Sequence, residues 1–133
     1  MKEIKAYIRR DEVNEIVEKL HEVGAPGVSI IEIHPVDYGY EPNSFARHGA
    51  GLVERYRHLA IVKLEIFCGD DQLEPLLDVI QGYCRTGNPG DGMIFVSEVA
   101  DAVRIRDGVR GEGALRLSSR RRDASSAVRG ATR

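Results

Sequence analysis

Apolar and polar positions alternate from the start of the chain. Ile4, Ala6 and Ile8 are separated by Lys5 and Tyr7, a period of two that predicts a strand with one buried face. The period then changes. Val13, Ile16, Val17, Leu20 and Val23 recur at helical spacing behind Asp11, a capping candidate, and Gly24 stops the helix. Pro26-Gly27 turns the chain into a second strand, Val28 to His34. The same unit repeats. Within residues 61–67, Val62, Leu64 and Ile66 alternate with Lys63 and Glu65. Asp70-Asp71 then opens a helix whose stripe is Leu73, Leu76, Leu77, Ile80 and Cys84. Glu74 stands three after Asp71, as in a capping box, and Pro75 falls in the first turn, where it does least damage. A glycine-dense loop, Gly87 to Gly92, leads to a strand at Met93–Val96, and a short strand is expected around Val103–Arg106. Two strand–helix–strand units of similar length predict an α+β fold. It is a ferredoxin-like βαββαβ sandwich with both helices on one face of an antiparallel sheet.

Two stretches fall outside this periodicity. Residues 35–60 carry the turn formers Pro35, Gly39, Pro42, Asn43, Gly49 and Gly51 with no sustained period, a length that marks a functional or disordered loop. Residues 116–133 are rich in Ser, Arg and Ala and are expected to stay disordered. The expected organisation is one domain over 1–115, with 35–60 as its long loop, followed by the basic tail 116–133.

Composition narrows the function. The 133 residues suffice for one modest core, and 30% charge without tryptophan suits a soluble protein. No apolar run approaches the ~20 residues of a membrane span, and the first residues lack the apolar stretch of a secretory signal. Cys68 and Cys84 are too few for a disulfide framework and have no CxxC spacing, so reduced core thiols in a cytoplasmic protein are expected. The tail has six arginines against one acid, Asp123, a net +5, and the rest has 13 basic against 20 acidic residues, a net −7. An acidic body argues against nucleic-acid binding by the folded domain.

Candidate chemistry concentrates in two segments. Arg85-Thr86-Gly87-Asn88-Pro89-Gly90-Asp91-Gly92 offers backbone N–H groups that glycine lets approach a ligand closely. Val103-Arg104-Ile105-Arg106-Asp107-Gly108 sets two arginines at i and i+2, on one face if the segment is a strand. Together they suit an anion such as a nucleotide phosphate. The loop is not a P-loop, because no Gly-Lys-Ser/Thr follows. Glu65 and Asp91 are the carboxylates expected near the cleft, and no serine or cysteine stands beside a base, so no catalytic residues are assigned. His34, His48 and His58 with Asp37 and Glu41 match no metal-ligand spacing and read as surface groups. Tyr38, Tyr40, Phe45 and Tyr56 load the long loop with aromatics, either for local packing or as a partner-binding surface.

These segments together resemble the PII signal-transduction family over about 1–34 and 61–115. The resemblance rests on MKEIKAYIRR at the start, GVSIIEI (27–33), KLEIF (63–67) followed by Asp70-Asp71, RTGNPGDGMIFV (85–96) and VRIRDGVRGEGAL (103–115). It implies a non-enzymatic homotrimer that binds adenine nucleotides in clefts between subunits and touches a regulated target through a long T-loop, here 35–60. Carried over by residue, Gly27 and Ser29 line the adenine and ribose side, with Ile66 and Phe67 near the base. Gly90, Asp91 and Gly92 contact phosphates through the backbone, and Arg104 and Arg106 neutralise them. Loss of either arginine is expected to cost about 1.5–3 kcal/mol.

Departures from the family pattern refine the expectation. The lysine after the Gly-Asp-Gly is Met93 here, and a lysine at the end of the T-loop aligns with Ile61. Both serve outer phosphates of ATP or the accompanying 2-oxoglutarate in the family. The T-loop glutamine is missing from His34-Pro35-Val36-Asp37-Tyr38-Gly39, and the RGAEY modification motif is absent near Arg47-His48-Gly49-Ala50-Gly51. The chain is thus similar to the divergent PII-like branch, and ADP or AMP is expected over ATP, with no 2-oxoglutarate response and no uridylylation. Some members of that branch sense bicarbonate together with ADP or AMP near carboxysomes or bicarbonate transporters, which makes an inorganic-carbon sensor the leading specific reading. The rivals are a sensor of another small anion or a metal, a nucleotide-independent trimeric scaffold and, third, an enzyme that turnover of ATP would expose.

Overall fold

Strand β1, Lys2–Arg9, runs through the interior of a four-stranded antiparallel sheet in the computed structural model, which describes residues 1–35, 61–88 and 90–116. Its alternation decides its position. Ile4, Ala6 and Ile8 are buried on one face, while Lys5 and Tyr7 lie on the other. β1 pairs antiparallel with β3, Ile61–Cys68, and on its other edge with β4, Met93–Glu98. β2, Ser29–Glu32, pairs with β3, giving the order β2-β3-β1-β4. This is the predicted ferredoxin-like arrangement.

Helices α1, Val13–Glu22, and α2, Leu73–Cys84, close the apolar face of the sheet. Val13, Ile16 and Leu20 of α1 and Leu76, Ile80 and Cys84 of α2 are the buried positions at helical spacing. They meet Ile4, Ile8, Leu64 and Ile66 in one core. Each fully buried Ile or Leu contributes about 1.5–3 kcal/mol. The other face, carrying Lys5, Tyr7, Lys63, Glu65, Phe67, Met93 and Phe95 by register, has neither helix over it.

Local signals were honoured unevenly. Gly24 ends α1 as expected. At φ +85° it lets its own N–H reach the His21 carbonyl (3.1 Å) and the Ala25 N–H reach the Leu20 carbonyl (3.0 Å), the paired bonds of a Schellman turn. Asp11 is not a cap. It lies inside a 3-10 turn, Arg10–Glu12, and makes no capping bond. The capping box expected from Asp71 and Glu74 is displaced as well. Gly69 N–H donates to Gln72 Oε1 (3.0 Å), and Gln72 Nε2 donates to the Gly24 carbonyl (3.0 Å), tying the entry of α2 to the exit of α1.

The second strand is shorter than expected, because β2 is an edge strand whose pairing with β3 runs from Ser29 to Glu32 only. β4 is longer than expected and reaches Glu98. No strand forms at Val103–Arg106. Val103 makes one isolated bridge to Arg110, and a turn follows. Most of the long loop (36–60) and all but the first residue of the tail (117–133) lie outside the described residues, as does Pro89. No helix among the described residues is long and apolar enough to cross a membrane.

Candidate functional site

Five of the nine residues assigned from the sequence meet at one place. Gly27, Ser29, Phe67, Arg104 and Arg106 line an open cleft of ≈ 640 Å³, together with Glu65 and the segment Ala114–Arg116. The sheet explains the grouping. Ser29 pairs with Glu65 in the β2–β3 ladder, and Phe67 follows two residues along β3 on the same face. Phe67 is 39% exposed, so an apolar ring is open to the cleft. Ile66 is placed differently. Its side chain points to the opposite face and is wholly buried in the core, so of this pair only Phe67 offers a side chain to a ligand.

The two arginines reach the cleft from a tight lobe rather than from a strand. Arg104 N–H donates to the Val109 carbonyl (2.8 Å), and Gly108 N–H donates to the Arg104 carbonyl (2.8 Å). Arg110 pairs with Asp101 across the base of the lobe. Asp107 sits between the arginines, 2.8 Å from Arg104 Nη1 and 3.8 Å from Arg106 Nη2. The Val109 N–H, then the Arg104 and Arg106 guanidiniums, hold the Asp107 carboxyl below its ordinary pKa against the opposing effect of burial. The expectation that both guanidiniums leave one strand face is therefore corrected. Asp107-Gly108 turns the chain, and it is the turn, not a strand, that brings both guanidiniums near the same Asp107 oxygen.

The glycine loop lies at a second, separate cleft of ≈ 430 Å³, lined by Gly87, Asp91, Gly92, Arg85, Tyr7 and Met93 among others. Asp91 is consumed inside the loop. Its carboxylate accepts the N–H groups of Thr86 (2.8 Å) and Gly87 (2.9 Å) and the Thr86 hydroxyl, and Arg9 Nη2 is 3.2 Å away. The Thr86 hydroxyl first, then these N–H groups and Arg9, keep the carboxyl below its ordinary pKa. Asp91 braces the loop, and its carboxylate turns the Thr86 and Gly87 N–H groups inward. Gly90 is buried behind the loop, outside the cleft lining. Gly92, at φ +105°, packs directly on the Tyr7 backbone.

The two positions that depart from the family's lysines differ in kind. Ile61 is 2% exposed at the start of β3, outside the core cluster, whereas Met93 is 55% exposed at the rim of the second cleft. Both cysteines are buried. Burial, then the neighbouring Glu12 carboxylate, pushes the Cys84 thiol up to about 12. Among the described residues no group of three or more His, Cys, Asp or Glu side chains is placed to hold a metal. His48, His58, Asp37 and Glu41 lie outside the described residues, as do all four loop aromatics.

Sequence reasoning missed Arg9, Thr86, Asp107 and the segment 114–116. Arg9 gave no signal, since its partner Asp91 is 82 residues away. Asp107-Gly108, by contrast, is a turn dipeptide that argued against a strand there.

Comparison with known proteins agrees with the fold. The family model described as nitrogen regulatory protein P-II matches residues 1–109. A nitrogen regulatory protein P-II of Bradyrhizobium diazoefficiens is 38% identical over 122 residues, covering 86% of this chain and 100% of its own length. A P-II homolog of Arabidopsis thaliana is 33% identical over 115 residues, and this match spans 58% of the plant protein's length. The crystal structure of Arabidopsis thaliana PII bound to citrate superposes with a TM-score of 0.67 at 29% identity, covering 89% of this chain and 92% of that one.

Proposed function

Because the chain belongs to the nitrogen regulatory protein P-II family, a family of signalling regulators, we propose that it is a non-enzymatic, cytoplasmic, trimeric sensor of adenine nucleotides. Residues 1–115 form the sensing domain, loop 35–60 carries the response to a target protein, and 116–133 is a separate basic tail.

One observation carries the reading. The residues suited to a base and a charged group (Ser29, Phe67, Arg106) share one open cleft, while the glycine loop borders another on the same chain. A nucleotide that uses both needs the first cleft of one copy set against the glycine loop of another. The sheet face that neither helix covers is available for that packing. A base stacks on Phe67, and the arginine lobe supplies positive charge to a phosphate.

Among the described residues, Arg85 is the cation that lines the cleft at the glycine loop. Arg9 is paired with Asp91, Ile61 is buried, and Met93 brings no charge. ADP or AMP therefore fits better than ATP, and no resident cofactor is required. Bicarbonate is the proposed second ligand, with a bicarbonate transporter or a carboxysome-associated protein as the target. Only a ligand that favours one state of the loop can shift its balance.

The test is calorimetric titration with AMP, ADP and ATP, with and without bicarbonate, alongside the molar mass in solution. Tight ADP binding to a trimer, strengthened by bicarbonate, is the expected result. ADP binding indifferent to bicarbonate removes the carbon-sensing part, and a monomer that binds no nucleotide removes the whole reading.

A further inference from the structure

Arg104 is spent largely on its own chain. Its Nη2 donates to the carbonyls of Gly113 and Arg116, each at 2.7 Å, with the Ala114 carbonyl at 3.3 Å from both Nη2 and Nε. Its Nη1 donates to Asp107 at 2.8 Å. A guanidinium has five N–H donors, and among the described residues this arrangement leaves one Nη1 hydrogen without an acceptor. The side chain is 20% exposed, whereas that of Arg106 is 58% exposed.

At its start the segment that Arg104 holds is also tied by the Gly111 N–H to the Ala102 carbonyl (3.0 Å) and by Glu112 near the N-terminal amine (4.0 Å). The carbonyls of 113, 114 and 116, by contrast, converge on Arg104. The 3-10 turn Gly111–Leu115 contains no buried residue and contributes nothing to the core. Its position nevertheless shapes the site. Ala114, Leu115 and Arg116 form one side of the first cleft, and Leu115 and Arg116 also line a neighbouring cleft of ≈ 410 Å³. The strand of chain at 114–116 is the partition between the two.

We propose that Arg104 is a positioning residue: it clamps residues 113–116 as a wall of the ligand cleft, and Arg106 presents the charge to the ligand. The proposal rests on the nucleotide reading above for the identity of the ligand, but not for the clamp itself. For Arg104 to reach a phosphate with its full fork, it must abandon charge-assisted bonds to two carbonyls and a carboxylate, and the wall loses its fastening. The role also demands arginine. A lysine ammonium keeps the charge, but as a compact point donor it cannot span carbonyls at 113 and 116 while holding Asp107.

The experiment uses the full chain and four variants: Arg104→Lys, Arg104→Gln, Arg106→Lys and Arg106→Gln. Hydrogen exchange of 111–116 is followed without nucleotide, and ADP is then titrated. Both variants at 104 are expected to speed exchange of 111–116 about tenfold or more and to weaken ADP by about tenfold, lysine failing to rescue. At 106, exchange stays as in the wild type, glutamine loses ADP affinity and lysine restores most of it. Wild-type ADP affinity in Arg104→Lys overturns the proposal, and so does unaltered exchange at 111–116 in the variants at 104. If the wild type binds no ADP, the nucleotide reading fails by itself, and the exchange measurement still decides the clamp.

Discussion

Gly92 and Tyr7 are in backbone contact: a Cβ placed on Gly92 meets the Tyr7 carbonyl oxygen at 1.8 Å. The close approach lets the glycine loop join β4 immediately beside β1, where Tyr7 pairs with Met93. Gly92→Ala must move one backbone away from the other and also strain φ +105°. Destabilisation of at least about 2 kcal/mol is expected from the urea midpoint. Gly82 makes the opposite case on exposed α2, with open space at its Cβ position. Gly82→Ala is expected to stabilise by about 0.5–1 kcal/mol. Equal effects at the two sites dismiss the backbone contact as the cause.

Asp91 links the glycine loop to pH. Its carboxyl is held below the ordinary 3.8 by Thr86, Gly87 and Arg9. A group depressed in this way favours the folded state above its unfolded pKa, and that contribution fades as the pH falls through the folded value. Asp91→Asn is therefore expected to lower the unfolding midpoint near neutral pH and to flatten its fall as the pH drops below about 4. Asp70, Asp101 and Asp107 are depressed too and keep their own share of the acid response. An Asp91→Asn curve parallel to the wild type across this range shows that the brace does not titrate.

The sequence showed the parts of the fold that rest on periodicity and hid those that rest on distant partners. Ile4, Ala6 and Ile8, or Leu76 and Ile80, are separated by the period of their own element, so their burial is written locally. Ile105 shows how such a pattern misleads. Set between Arg104 and Arg106 it reads as the apolar position of an alternating strand, yet it is wholly exposed at a turn. The site was legible as a set of residues but not as two clefts. Whether Gly92 and Arg106 share a cavity depends on how β4 returns beside β1, which no local spacing records. Arg9 and the clamp of Arg104 on 113–116 were invisible for the same reason.

Burial governs the cysteines. Cys68 is fully buried and its thiol pKa is raised by burial, and Cys84 is pushed up to about 12. At about pH 8 an ordinary thiol is partly ionised and reacts readily. Here both are expected to resist an aromatic disulfide reagent in the native protein and to react fully, two per chain, once it is unfolded in denaturant. A native thiol that reacts at the rate of free cysteine contradicts the packing of α2 on the sheet or the burial at the end of β3.

The phosphate preference turns on two positions that look alike in sequence and differ in the fold. Met93 is 55% exposed at the start of β4, beside the glycine loop, so Met93→Lys sets an ammonium at the second cleft and leaves the core untouched. Stability is expected to stay within about 0.5 kcal/mol. If the clefts take a nucleotide with its phosphates towards Gly92, the new cation meets an outer phosphate. ATP affinity is then expected to rise about tenfold or more, with a smaller gain for ADP and none for AMP. Ile61 does not offer the same repair. Ile61 is 2% exposed at the start of β3, outside the core cluster, so Ile61→Lys must displace its neighbours to bring an ammonium to solvent and is expected to cost about 1–3 kcal/mol of stability before it can recruit a phosphate. Calorimetry on Met93→Lys with the three nucleotides separates the cases. A gain graded by phosphate number places the phosphates at the glycine loop, whereas an equal gain for all three reduces the effect to general attraction, and no gain moves the phosphates elsewhere.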